Sequence, residues 1–193
     1  MNDFILYFKM GLFHVLDIRA YDHILFLIVL ACVYIFRQWK KVIWLVTLFT
    51  IGHTLTLALA AYKVISIDIA IVEFLIPVTI FITAVVNIIT VKRTVQKSAN
   101  INLIFALVFG LIHGFGFSNY FKMLMAEEED KITPLLGFAT GIELSQIIII
   151  LVVLIIAHVI LDLLKVKRSI FIAVASILII AITIPLLIAT FPI

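Results

Sequence analysis

Apolar residues run through this chain in six long blocks separated by short, charged breaks. A helix that crosses the hydrocarbon of a bilayer needs about 20 apolar residues. On that measure the pattern predicts spans near residues 21–36, 42–62, 67–91, 101–120, 133–164 and 170–190. The fifth is long enough to tilt or to begin outside the hydrocarbon. The first is short. Before it, Phe4, Ile5, Leu6, Phe8, Leu12, Phe13, Val15 and Leu16 are interrupted by Asp3, Lys9, His14 and Asp17. Residues 1–20 therefore read as a helix that lies in the outer interface or dips into the bundle. The expected fold is all-α: a single polytopic membrane domain over residues 1–193.

Composition agrees with the pattern. Of 193 residues, 65% are hydrophobic and 13% charged, against roughly half and a quarter in a soluble domain. Mean hydropathy is +1.34. A soluble globule, a disordered chain and a nucleic-acid-binding domain are excluded. The lone cysteine, Cys32, excludes an internal disulfide and a thiolate-built metal centre, and it reads as a small buried apolar residue. The N-terminus has no basic stretch ahead of its apolar run and no small-residue cleavage site, so a secretory signal of the usual form is not expected.

The net charge of +3 records orientation. Arg37, Lys40 and Lys41 follow the first span, Lys92, Arg93 and Lys97 the third, and Lys165, Lys167 and Arg168 the fifth. If the spans alternate, these nine basic residues share one side, and the positive-inside rule assigns that side to the cytoplasm and both termini to the outside. Helical rather than β-barrel spans point to an inner or plasma membrane. The acidic run Glu127, Glu128, Glu129 and Asp130 reads as a solvated outer loop.

Ionisable groups inside hydrocarbon cost several kcal/mol and mark function. The spans contain Asp22, His23, His53, Glu73, His113, Glu143, Gln146 and His158. At about 1.5 Å rise per residue, His53 lies roughly 16 Å and His113 roughly 18 Å above the cytoplasmic entry, while Glu73 and Glu143 lie roughly 9 and 15 Å below the outer surface. Asp22 and His23 open the outer mouth. Any one buried histidine reads as a hydrogen-bonded packing residue. Together, three imidazoles and three carboxylates in one layer form a site for a borderline divalent cation, which imidazole suits. Adjacent Asp22 and His23 cannot both face inward, so one binds while the other orients a neighbour. His158 with Asp162, four residues on, reads as a structural contact. His14 with Asp17 either covers the site from outside or belongs to an ordinary interfacial face. Gly110, Gly114 and Gly116 around His113 serve close helix packing or a helix break lining a cavity.

The segments YDHILFLIVLA, TLFTIGHTLTLALA, VEFLIPVTIFITAVVN, FGLIHGFGFS and GFATGIELSQ, in that order over roughly residues 11–146, resemble the HupE/UreJ family of bacterial membrane proteins. The resemblance implies uptake of a divalent metal ion of the nickel or cobalt class. By motif it carries the family's histidine-then-Asp-His element onto His14, Asp22 and His23, and its other polar positions onto His53, Glu73, His113, Glu143 and Gln146. Seven residues separate His14 from Asp22.

Two mechanisms follow. In the first, a permease captures the ion at Asp22 and His23, passes it to His53, His113, Glu73 and Glu143, and releases it inward. No phosphate-binding loop is present, so this chain does not itself spend ATP. In the second, a membrane-embedded hydrolase holds zinc on His23, His53 and His113, and Glu73 or Glu143 acts as general base toward a metal-bound water. A third reading confines the polar residues to helix packing. The expected partners are the metal ion (nickel, cobalt or zinc) and the lipid bilayer, with no nucleic acid; oligomeric state is left open.

Overall fold

The structure is a computed structural model that describes residues 3–19, 21–65, 67–91, 99–126 and 128–192. Among them are seven α-helices and no strand: α1 (Asp3–Leu16), α2 (Asp22–Ala31), α3 (Trp39–Ala61), α4 (Ile69–Thr90), α5 (Ala99–Leu124), α6 (Ile132–His158) and α7 (Arg168–Ala189). α6 continues through one π-helical turn, Val159–Leu163. Five of the helices, α3 to α7, are long and apolar enough to cross a membrane. Their bounds follow the predicted apolar blocks to within a few residues.

The first block departs from expectation. Instead of one span over residues 21–36, the chain forms a helix of ten residues that stops at Ala31. Ten residues rise about 15 Å, half of a hydrocarbon core. The polar stretch around Asp17 to Asp22 separates it from α1. The end of α2 is tied to its neighbours: Asn87 of α4 donates to the Val29 carbonyl at 2.7 Å, and the Arg168 guanidinium donates to that of Val33.

Two pairs of helices are joined backbone to backbone. α3 packs on α5, and α1 packs on α6. In the first pair Gly110 lies against the carbonyl of Phe49, Gly114 against that of His53, and Gly52 against that of Leu107. In the second, Gly137 lies against Phe4, Gly141 against Phe8 and Gly11 against Phe138. A Cβ at Gly137 would stand 2.6 Å from the Phe4 carbonyl oxygen. Such spacings leave no room for any side chain, and glycine at them is the means by which membrane helices reach this separation. The contacts advance in the same sense along both members of each pair, so within a pair the helices run in the same direction. α5 is continuous through its glycines, which serve packing rather than a break. α4 packs on α7, α2 and α5, and α3 meets α6 between the two pairs.

One end of the bundle carries Lys131, whose ammonium donates to the Ala61 carbonyl at the end of α3. The other carries Phe36 against the ring of His158, with Arg37, Lys40, Lys41, Lys165, Lys167 and Arg168 around it. Lys92, Arg93 and Lys97 lie outside the described residues, as does Glu127. The remainder of the acidic run is more than a solvated loop. Glu128 accepts from the Tyr7 hydroxyl of α1 at 3.0 Å, and Asp130 accepts from the backbone N–H of Ile132 and the hydroxyl of Thr133 at the start of α6. Those bonds hold the Asp130 carboxyl below the usual aspartate range.

These contacts separate two glycine substitutions. Gly110→Ala drives a methyl into the Phe49 backbone, which cannot step aside, and we expect a cost of about 1–3 kcal/mol. At Gly116 the methyl meets only side-chain methyls, the tip of Ile76 closely and Val72 at ordinary contact distance, so Gly116→Ala stays close to the parent. Thermal unfolding of the two variants in detergent, side by side, checks the difference.

Candidate metal centre

Each close helix contact places a histidine. Gly52 precedes His53. Gly11-Leu12-Phe13-His14 on α1 and Gly110-Leu111-Ile112-His113 on α5 repeat one arrangement. The glycine meets the partner helix, and the histidine three positions on, nearly one turn away, reaches the space enclosed by the helices. His23 comes from the second residue of α2.

The four imidazoles converge. Ring centroids of His14 and His23 are 4.8 Å apart, of His14 and His53 5.9 Å, of His23 and His53 6.1 Å, and of His23 and His113 5.5 Å. One ligand atom from each of His14, His23 and His53 lies within 4.8 Å of the others, a grouping that could hold a metal ion. His113 stands next to this trio, against Phe26 and Phe49. Aromatic rings close the surroundings, with Phe117 at 4.2 Å from His14.

Hydrogen bonding orients two of the rings. Asp22 Oδ1 accepts from the backbone N–H of His23 at 2.9 Å and lies 3.1 Å from its Nδ1. His113 Nδ1 lies 2.8 Å from the Phe109 carbonyl, which can only accept. Both contacts call for the proton on Nδ1, leaving the Nε2 lone pair free, as in the outer-sphere arrangement of metal-binding histidines. Five ring nitrogens are then buried without a partner among the described residues: Nε2 of His14, His23 and His113, and both nitrogens of His53. An unsatisfied buried polar atom costs about 1–3 kcal/mol, and such atoms are few in native proteins. The four rings offer at most one lone pair each, a set of nitrogens that could serve a ligand.

Of the three predicted carboxylates, Asp22 stays with the histidines and the other two stand elsewhere. Glu143 does not join the histidines. Its carboxylate accepts from Thr47 at 2.7 Å and from Thr50 at 2.5 Å, and Thr50 also lies 2.8 Å from Gln146 Oε1. This polar seam joins α3 to α6 one turn of α3 away from His53. Glu73 is exposed, and with Asp22 it lines an open cavity of about 300 Å³ between α4, the end of α7 and the link from α1 to α2. Asp22 thus borders the cavity on one side and His23 on the other. His14, read from sequence as a cover or an interfacial residue, is inside the cluster. Asp17 does not pair with it and accepts instead from the Arg19 backbone. His158 and Asp162 meet at 2.6 Å on the exposed turn at the far end. Sequence reasoning missed Thr47 and Thr50, although Thr47, Thr50 and His53 recur every three residues on one face of α3. It also missed Arg19 and Tyr21, which line the cavity.

A family model described as HupE / UreJ protein matches residues 1–189. No curated protein matches the chain, and no solved structure does.

The seam gives a test independent of any ligand. Thr50→Val removes the one hydroxyl shared by Glu143 and Gln146, and should destabilise the protein by about 1–3 kcal/mol. Thr140→Val should be nearly neutral, because the Thr140 hydroxyl bonds only to carbonyls of its own helix. Denaturation midpoints of both variants supply the comparison.

Proposed function

The chain belongs to the HupE/UreJ family, and from that premise we propose that it carries a divalent transition-metal ion of the nickel or cobalt class across a bacterial plasma membrane. The observation that carries this reading is the set of five unpartnered imidazole nitrogens buried between helices. Nitrogen donors without thiolate suit nickel, cobalt and zinc.

In this reading the chain is a single membrane unit with its basic end in the cytoplasm and both termini outside. α1 and α2 together take the place of the sixth span, broken at the site. Broken helices at a binding site are common in transporters, where the irregular backbone lines a cavity. The ion enters the open cavity beside Glu73 and Asp22, passes Asp22 to reach His23, and is held by His14, His23 and His53 with His113 adjoining. The Thr50, Gln146 and Glu143 seam is the next polar station. Beyond it the inner halves of the spans are apolar, so release requires the helices to move. Each glycine-joined pair is a rigid body, and the cation lies between them: His14 comes from one pair, His53 and His113 from the other. Movement of one pair against the other across the seam would open the inner side.

The position of Glu143 also favours transport over hydrolysis. A general base must reach a metal-bound water, and this carboxylate is held by two threonines.

The purified protein should retain about one nickel or cobalt ion per chain by elemental analysis, and proteoliposomes should accumulate nickel-63. His53→Ala should lower uptake at least ten-fold, and His23→Ala likewise. Imidazole donors must be deprotonated to bind. Acidification should therefore release the ion. Protein that retains no metal and moves none would refute the proposal.

A further inference from the structure

The open cavity bordered by Asp22, the partner of His23, has a mixed lining. Asp22 and Glu73 supply carboxylates, Arg19 a guanidinium, and Tyr21 and Thr190 hydroxyls. Pro77 also lines it. A proline has no N–H for the carbonyl four residues back, so the Glu73 carbonyl is freed as a further acceptor. These oxygens suit a cation. Arg19 does not. Its guanidinium is permanently charged and repels a divalent ion on the way to Asp22. Nor does it neutralise the acids, for among the described residues the only ion pairs within 4.0 Å are His23 with Asp22 and His158 with Asp162. A cation and two carboxylates thus share one cavity without pairing.

Size points the same way. About 300 Å³ is the lower end of the range for small-molecule sites, and is far more than a bare ion fills. A guanidinium fork is matched to a carboxylate, which it binds in bidentate fashion. Resting on the transport reading, we propose that this cavity receives the metal as a complex with a small carboxylate-bearing chelator, an amino acid or a hydroxy acid. Arg19 binds the chelator's free carboxylate, while the metal faces Asp22 and Glu73. The ion is then handed to His23, which Asp22 contacts, and the chelator stays outside. Arg19 is in this account a specificity residue for the form in which the metal arrives.

The test uses the full-length protein in proteoliposomes, with nickel-63 supplied as the chloride, with excess L-histidine, or with excess citrate, and with carbon-14 label on each chelator in parallel binding assays. The expected result is nickel uptake from one chelate at least ten-fold above that explained by its free-ion concentration. Carbon-14 is retained on the protein only when nickel is present. Arg19→Gln should lower the ratio of chelate uptake to free-ion uptake at least ten-fold, and Arg19→Lys should restore it in part. The chelator that works distinguishes an amino acid from a hydroxy acid. Nickel uptake that follows free-ion concentration alone, or an Arg19→Gln effect equal in all arms, overturns the inference while leaving transport intact. Chelate-dependent nickel binding without uptake supports the cavity assignment and overturns the transport reading. Absence of nickel binding in every arm overturns both.

Discussion

The contact of glycine with backbone carbonyl between paired helices is the constraint on which the rest of this structure depends. Lipid is as apolar as leucine, so burial of aliphatic side chains contributes little to holding membrane helices together, and close van der Waals packing takes its place. Gly52, Gly110 and Gly114 bring α3 and α5 together, and Gly11, Gly137 and Gly141 do the same for α1 and α6. At that separation a histidine one to three positions after a glycine reaches across the partner helix. The placement of His14, His53 and His113 is therefore a consequence of backbone spacing as much as of the histidines, and α2 adds His23 to them.

The polar groups between the pairs are of two kinds. Thr47 and Thr50 lie against the Glu143 carboxylate and tie α3 to α6, with Gln146 Oε1 beside Thr50 and Gln146 Nε2 left without a partner. Among the histidines, five ring nitrogens lack partners. A protein that needed polar residues only to fix helix register would resemble the seam throughout. The contrast, one turn of α3 apart, is between a carboxylate that meets two hydroxyls and imidazoles that meet no such partners.

Much of the fold was legible because hydrophobic length is a strong signal: α3 to α7 follow the apolar blocks closely. The first span was misread because residues 24–35 are continuously apolar, and hydropathy does not show that the helix stops at Ala31, near which Asn87 and Arg168 take up the carbonyls of Val29 and Val33. Depth along each helix put His53 and His113 near one level and His23 at the outer mouth, whereas the structure sets His23 beside both rings. Residue count could not supply rotation about the axis. Glu143 shares their approximate level and turns instead toward Thr47 and Thr50, while Glu73 turns to the open cavity. His14 was ambiguous for a related reason: its helix is too polar for a span, and only the packing of Gly11 on Phe138 draws it inward.

The same architecture limits how the protein can move. Within each pair, backbone contacts leave no freedom to slide without steric overlap, and packed interfaces shift between discrete arrangements rather than deform continuously. Between the pairs no glycine locks backbone to backbone; the contacts are the side chains of Thr47, Thr50, Glu143 and Gln146 together with rings, Phe117 and Phe121 of α5 on Phe138 of α6. A cation bridging His14 and His53 would join the two bodies in one arrangement, and its departure would remove that bridge. On the transport reading, ligand occupancy and bundle geometry are thereby coupled through the donors that bind the ion, with Thr50 and Glu143 adjacent to the point where the two bodies must part.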